Sequence, residues 1–465
     1  FRRVLFRSEG LGLLPGVSRT PRKSGPTPKA NPTHAIARTM FLRFAGEEDS
    51  ERAAFATLVT SLPERGLSTS PLDQLGGGPR LWDEELVTRG ELGSSDGGYA
   101  LDTLTLPDSN PWNAWLRTSA LDFLEDGRAA VCTYGGDVWL VDGIDAGLER
   151  LVWTRFVAGL YEPMGLAVVD GKILVTCRDG IVRLHDHDGD GQADQVERLF
   201  SDPDVSATFH AFNFDLQVDA DGWLLYAKSG QYTDYDQGGA ILRVAPDGSE
   251  YEVWATGLRT PNGMGLASDG TPLVSDNQGN WIPASKITRA TRGSFMGVFP
   301  AIDTNRPGMR TRTDFEQPVL WMPQGFDSSS GGQLFADDAR FGPLAGLHLH
   351  TSFGKGWMYP VDIDTSGPLA QGAAWRLPFQ FAAGIQRLRT NPADGQVYAV
   401  GLSGWQGPAG GADGCLQRVR WTGTDDLLLT GARIVEGGVR LTFTEALPAS
   451  VEGEASARTW RSEEH

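Results

Sequence analysis

Residues Gly165 to Leu184 read "GLAVVDGKILVTCRDGIVRL". Three short runs rich in Val, Ile and Leu are broken at Asp170-Gly171 and at Asp179-Gly180. β-Branched residues suit strands, and Asp-Gly between apolar runs is a strong hairpin signal. The stretch therefore reads as three strands joined by two tight turns. The same texture recurs along the chain. It appears as "DFLEDGRAAVCTYGGDVWLV" from Asp122, "DLQVDADGWLLYAKSGQ" from Asp215 and "GMGLASDGTPLVSDNQG" from Gly263. It returns as "GGQLFADDARFGPLAGLHLHTSFGKG" from Gly331 and "RLRTNPADGQVYAVGLSGW" from Arg387, the last followed by "GCLQRVRW".

The segments leading into the units repeat as well: "AGLYEPMGLAV" (Ala158 to Val168) parallels "TGLRTPNGMGLA" (Thr256 to Ala267). Unit starts are 43, 50, 48, 68 and 56 residues apart. Repeats of about 40–50 residues with several strands each indicate propeller blades. One small sheet cannot bury both its faces, whereas six stacked around an axis can, and closure protects the edges. The expected fold is all-β, a six-bladed β-propeller over residues 91–422. A β-sandwich would not explain the repeated lead-in.

The flanks have a different texture. Residues 1–30 read as an artefactual start and a Pro/Ser/Gly-rich disordered linker. "FRRVLFRS" (Phe1 to Ser8) and "RSEEH" (Arg461 to His465) resemble translated sequencing-adapter read-through, as in a metagenomic fragment, and are set aside. Native chain is expected beyond both ends. Residues 31–90 form a lead-in, with helical spacing in "EEDSERAAFATLVTSL" (Glu47 to Leu62). Residues 423–465 alternate in strand fashion and read as the start of a truncated β-domain.

The net charge of −18 gives no basic footprint for nucleic acid. No run of about 18 apolar residues is present, so no membrane-spanning helix is expected. The three cysteines (Cys132, Cys177 and Cys415) lack CxxC spacing, so neither a zinc ribbon nor attached haem is encoded. Cys132 and Cys177 lie in apolar strand patterns and read as buried thiols; pairing between them is left open.

Directly after the opening stretch comes "LHDHDGDGQADQVE" (Leu184 to Glu197), which fits the calcium-loop pattern from Asp186. The flanking "GIVRL" and "VERLF" are strands, too short for the helices of an EF-hand sensor. Carboxylates this crowded repel unless a cation sits among them, and oxygen ligands favour calcium. The expectation is a structural calcium held by Asp186, Asp188, Asp190, Glu197 and the Gln192 carbonyl. If Glu197 points outward along its strand, Asp194 is the better ligand.

Polar loop segments mark one mouth of the propeller: "FHAFNFDL", "AKSGQYTDYDQGG", "GLRTPNGMG", "SDNQGNW", "SFGKGW" and "GIQRLRT". Here the chain resembles the soluble quinoprotein glucose and sorbosone dehydrogenases, which bind pyrroloquinoline quinone and calcium on a six-bladed propeller. It resembles more closely the propeller module of large secreted bacterial proteins commonly labelled membrane-bound dehydrogenases, many with a c-type haem domain. "LHDHDGDGQAD", "HAFNFDLQVDADGWLLYAKSGQ" and "RTPNGMGLASDGTPLVSDNQGNW" carry that match. The resemblance implies oxidation of a sugar or related alcohol, electrons passing to a haem domain or cytochrome, and a periplasmic or secreted location. It implies His210 as general base, suited by an ordinary pKa near 6.5. It places Gln231, Arg259, Asn262, Lys355, Arg387 and Arg389 around the quinone. The chain departs from the dehydrogenases in two places: Thr260 and Pro261 separate Arg259 from Asn262, and "DNQGN" replaces a Gly-Pro pair.

Plain structural readings stand beside these. His210 is equally a core histidine, Arg387 or Arg389 a partner for an acidic blade edge, and Asn262-Gly263 a tight turn. A second reading takes "PNGMGLASDG" and "YEPMGL" as metal-binding lead-ins similar to those of gluconolactonase-type propellers, with Glu162, Asn262 and Asp276 or Asp327 as ligands. A third is a non-catalytic carbohydrate- or partner-binding propeller.

Overall fold

The computed structural model describes residues 76–447 apart from 232–235, 280–282, 299–314, 405–408 and 425, together with six positions between 50 and 60. The described residues divide into two units, one before residue 76 and one from residue 76 onward. In the first, the described residues Ser50, Ala53, Ala54, Ala56, Thr57 and Thr60 are helical. The Thr57 and Thr60 hydroxyls donate to carbonyls four residues back. Most of the expected lead-in helix, and the terminal segments set aside above, lie outside the described residues.

The second unit contains six antiparallel sheets arranged as blades. Their innermost strands are Thr118–Phe123, Gly165–Val169, Asn213–Val218, Gly263–Leu266, Ser330–Phe335 and Gly384–Thr390. The three expected strands of the opening stretch are Gly165–Val169, Lys172–Cys177 and Gly180–His185. A fourth, Gln195–Ser201, pairs outside them and completes blade 2. Blade 6 takes its outermost strand from the other end of the chain: Tyr99–Thr103 pairs with Gly414–Trp421. That pairing closes the ring.

Each seam between neighbouring blades has its own apolar cluster. Ala130, Cys132, Val138 and Leu140 of blade 1 meet Leu166, Ile173, Val175 and Cys177 of blade 2. Among the described residues, the seam between blades 4 and 5 has the fewest buried hydrophobic residues: Ala267, Leu273, Ile287, Met322 and Val361. Buried polar groups of blade 5, among them Gln333 and His350, lie near it. All three cysteines are free and buried. Burial pushes the Cys132 thiol up to about 11 and Cys177 and Cys415 to about 12, so none is a reactive thiolate.

Two glycines permit close approach at the axis. A Cβ on Gly165 would lie 2.2 Å from the Asp215 carbonyl, and one on Gly263 would lie 1.6 Å from the Gly331 oxygen. After the ring, Leu429–Val435 and Gly438–Phe443 form a two-stranded hairpin. Arg433 and the Ala432 amide anchor it to Asp362 of blade 5. Among the described residues, no helix is long and apolar enough to cross a membrane.

Candidate functional site

Every connector from an outer strand to the next inner strand ends at the same face of a propeller. That face therefore gathers the loops before Gly165, Asn213, Gly263, Ser330 and Gly384. The loop before Asn213 is held from beneath. Lys228 and Asp202, both buried, pair at 2.6 Å, and the Tyr226 hydroxyl donates to the same carboxylate at 2.8 Å. Arg178 donates to the carbonyls of Ser206 and Thr208 and pairs with Glu162 at 2.8 Å.

This scaffold positions His210, which is buried. Its Nδ1 lies 3.1 Å from the Ser229 hydroxyl, and Ser229 in turn donates to the Arg259 carbonyl at 3.4 Å. Thr260 donates to Gln231 Oε1 at 3.2 Å. Burial, with the Arg259 charge adding to it, lowers the His210 pKa. The imidazole is therefore neutral at pH 7, in the form that accepts a proton. His210, Gln231 and Arg259 thus come together as one cluster.

Asn262, Arg387 and Arg389 go elsewhere. Arg387 is fully buried on the axis and crosses it. Its Nε and Nη2 donate to the Met164 carbonyl at 3.1 and 2.8 Å, and Nη1 donates to the Asn262 carbonyl at 2.6 Å and to Asn262 Oδ1 at 3.1 Å. Asn262 Nδ2 donates to the Ser330 carbonyl at 3.0 Å. Arg387 and Arg389 both pair with Asp215, at 3.5 and 3.3 Å. Arg389 also donates to the carbonyls of Leu166 and Leu216. Asp215 adopts a left-handed backbone (φ 61°) to hold this position. One buried network thus ties blades 2, 3, 4, 5 and 6 across the channel. The quinone set does not fit as a set, because three of its six members are engaged with the protein's own carbonyls and carboxylate. The remaining member, Lys355, lies in the corresponding loop of blade 5, with Nζ 5.9 Å from the Trp357 ring centroid.

The metal set of the second reading is dispersed among separate partners. Glu162 is held by Arg178. Asp276 accepts the backbone N–H groups of Arg259, Thr260 and Asn277 at 2.7–2.9 Å. Asp327 is buried against His350 Nε2 at 3.1 Å and the Ser330 hydroxyl at 2.6 Å.

The acidic loop joins the third and outer strands of blade 2, on the opposite face from the connectors. Oxygens of Asp186, Asp188 and Asp194 lie within 4.8 Å of one another. Glu197 points along its strand to His185 Nε2 at 2.6 Å and to Arg183 at 3.3 Å. Asp194 takes its place in the cluster, the arrangement expected if Glu197 faces outward. Asp190 accepts the Gln192 amide at 2.8 Å. The Gln192 side chain clasps a strap of chain: Oε1 accepts from Leu81 and Trp82, and Nε2 donates to the Trp82 carbonyl.

One feature of the mouth escaped the sequence reading. Arg117 lies 4.8 Å from the Trp115 ring centroid and 5.1 Å from that of Tyr134. Tyr134 meets Phe212 at 6.4 Å, Phe212 meets His210 at 5.2 Å, and His210 meets Phe209 at 5.7 Å. This aromatic arc runs from the blade 1 loops to the blade 3 loop. Trp115 and Phe209 at its ends are 57% and 72% exposed, far more than packing would leave them. The signal was the aromatic and cationic residues just before inner strands, which repeat in "WLR" and "FHAF".

Fold and closure define a six-bladed β-propeller whose polar and aromatic residues converge where the inner strands begin. A domain of unknown function, DUF7133, matches residues 148–307. No curated protein matches the chain. Among solved structures, the chain is similar to the PQQ-bound aldose sugar dehydrogenase of Streptomyces coelicolor, at 16% identity and a TM-score of 0.51. That match covers 69% of this chain and 98% of the other. The soluble aldose sugar dehydrogenase of Escherichia coli, in its apo form, is 15% identical with a TM-score of 0.52, covering 70% and 99%. The holo PQQ domain of the Coprinopsis cinerea pyranose dehydrogenase is 12% identical with a TM-score of 0.51, covering 74% and 99%. The shared property is the propeller fold of quinoprotein sugar dehydrogenases.

Proposed function

We propose that the mouth of this propeller binds a saccharide. The aromatic arc carries the reading: exposed Trp115 and Phe209 flank half-buried Tyr134 and Phe212 and the buried His210. Sugar rings offer C–H faces that pack on aromatic side chains, while their hydroxyls need a few placed polar partners. Gln231, Arg259 and Thr260 stand beside the arc to supply them. Calorimetric titration with a panel of mono- and oligosaccharides tests this. Saturable heat that disappears in Trp115→Ala and Phe209→Ala supports it, and no heat with any sugar removes it.

A second reading, oxidation of the bound sugar or alcohol, is favoured by the neutral His210, which is in the state that takes a hydroxyl proton. It keeps the expected extracytoplasmic location and a c-type haem acceptor as parts of the proposal. The quinone set does not fit, so no step is routed through that cofactor. Dye reduction with aldoses, after adding pyrroloquinoline quinone and calcium, separates the readings. Turnover lost in His210→Gln supports oxidation, and binding without turnover leaves a sugar-binding propeller.

A calcium ion is also part of the proposal. Three carboxylates in mutual reach suit a hard cation with oxygen ligands. The ion would fasten the blade edge, away from the mouth.

A further inference from the structure

The strand Trp357–Asp364 begins at the mouth, and its first residue carries two cations. Arg376 lies 3.8 Å from the Trp357 ring centroid and Lys355 Nζ lies 5.9 Å from it. The ring is fixed: Trp357 Nε1 donates to Gln380 Oε1 at 2.7 Å, and Gln380 Nε2 donates to the carbonyls of Lys355 and Gly356 at 2.8 and 3.0 Å. Arg376 is exposed, and Lys355 and Trp357 are half-buried.

Neither cation has a carboxylate within 4.0 Å among the described residues, although the chain carries an excess of 18 acidic charges. Among the described residues, three of the four other arginines stacked on aromatics also hold an acid, and the fourth, Arg117, donates to the Ser403 carbonyl instead. Arg155 is paired with Asp137, Arg178 with Glu162, and Arg243 with Asp219. Two like charges sharing one ring repel each other. The ring quadrupole offsets part of that cost, and a bound anion would remove it.

We propose that Lys355, Arg376 and Trp357 form a subsite for a carboxylate-bearing ligand, specifically the carboxylate of an acidic, uronic-acid-type sugar. The planar guanidinium matches a carboxylate in two-point contact, while the ammonium acts as a second charge. The indole covers the apolar side of the sugar ring. This proposal rests on the reading of the mouth as a saccharide site. The same chemistry also fits a free aromatic tricarboxylate such as pyrroloquinoline quinone, so both sources enter the test.

The test is titration of the whole chain with glucuronate, with glucose and with pyrroloquinoline quinone, repeated on Lys355→Gln/Arg376→Gln. Thermal melts check that the variant is folded. Glucuronate is expected to bind about tenfold or more tighter than glucose, as charge-assisted bonds allow. That preference should vanish in the double variant and shrink with added salt, while glucose affinity holds. Equal affinity for the two sugars in the native chain, or a preference that survives the double substitution, overturns the proposal. If neither sugar binds, the saccharide reading fails. In that case quinone binding lost in the variant keeps the carboxylate subsite with the quinone as its source, and no binding of either anion overturns it.

Discussion

At the scale of single residues, Arg387 decides how the axis is read. A guanidinium facing a cofactor would be dispensable for stability in its absence. Here it satisfies Met164 and Asn262 and neutralises Asp215, all buried. Arg387→Met removes one partner from a buried charged network, a change that costs roughly 3–5 kcal/mol. Urea unfolding should show that loss, and an unchanged midpoint would contradict the axial network. His348 gives a pH signature. Burial first, and the Arg289 charge second, push its imidazole from 6.5 down to about 4. Between those values the unfolded chain binds a proton that the folded chain refuses. Stability is therefore full above pH 6.5 and falls as pH drops toward 4, by about 3 kcal/mol for a shift of this size. His348→Gln should flatten that part of the urea-midpoint profile relative to the native chain. The sequence allowed Arg387 or Arg389 an acidic partner, but neither the span of Arg387 across the axis nor the role of His348 was legible in it. An arginine on an inner strand looks the same whether it faces a ligand or the opposite blade. The left-handed Asp215 that draws both arginines inward has no sequence mark of its own.

At the scale of elements, turn chemistry made the blades legible. An Asp-Gly turn joins the first two strands of blades 1, 2, 3, 4 and 6, so those strands stood out. The outer strands are half-exposed and lack clean apolar runs; Gln195–Ser201 is mostly open to solvent along its first half. Gln195–Ser201 was legible only because "VERLF" flanks the acidic loop; the outer strands of the other blades were found through pairing. The acidic loop was legible as a motif, and its second task was not. Asp194 accepts the Gly78 amide at 2.8 Å, and Gln192 holds Leu81 and Trp82. Gly77 lies so close that a Cβ there would stand 2.5 Å from Asp188 Oδ2. Calcium binding should therefore tighten the strap as well as the loop. Ligand present at 100 times its dissociation constant stabilises by about 2.7 kcal/mol. Calcium should accordingly raise the melting temperature and slow proteolysis near residues 77–82. Asp188→Asn should lose both effects, and Glu197→Gln should keep them. A melt indifferent to calcium and chelator would leave a solvated acidic turn.

At the scale of the whole molecule, the ring is as strong as its weakest joint. Tyr99–Thr103 is the joint that links distant parts of the sequence. Asp102 lies buried within it and accepts from Arg418 Nε at 2.8 Å, from Arg420 at 2.8 and 3.0 Å, and from the Gly93 amide at 2.9 Å. Burial alone would raise its carboxyl, but the bonds from Arg420, Gly93 and Arg418 outweigh burial and hold it below the usual 3.8. The clamp is therefore intact at neutral pH and lost as pH falls through that lowered value. Asp102→Asn leaves buried Arg418 with only the more distant Asp394 carboxylate, at 3.8 Å, at a cost of roughly 3 kcal/mol. The competing joint is the seam between blades 4 and 5, which has the smallest apolar cluster of the six among the described residues. Local opening follows the region with the fewest buried apolar contacts. In the native chain, amide exchange should therefore be faster in the strands of blades 4 and 5 that face that seam than in the equivalent strands of blades 1 and 2. In Asp102→Asn the fastest-opening strands should become Tyr99–Thr103 and Gly414–Trp421. If exchange in the variant rises uniformly around the ring, closure is shared by all six seams and Asp102 is not its clamp.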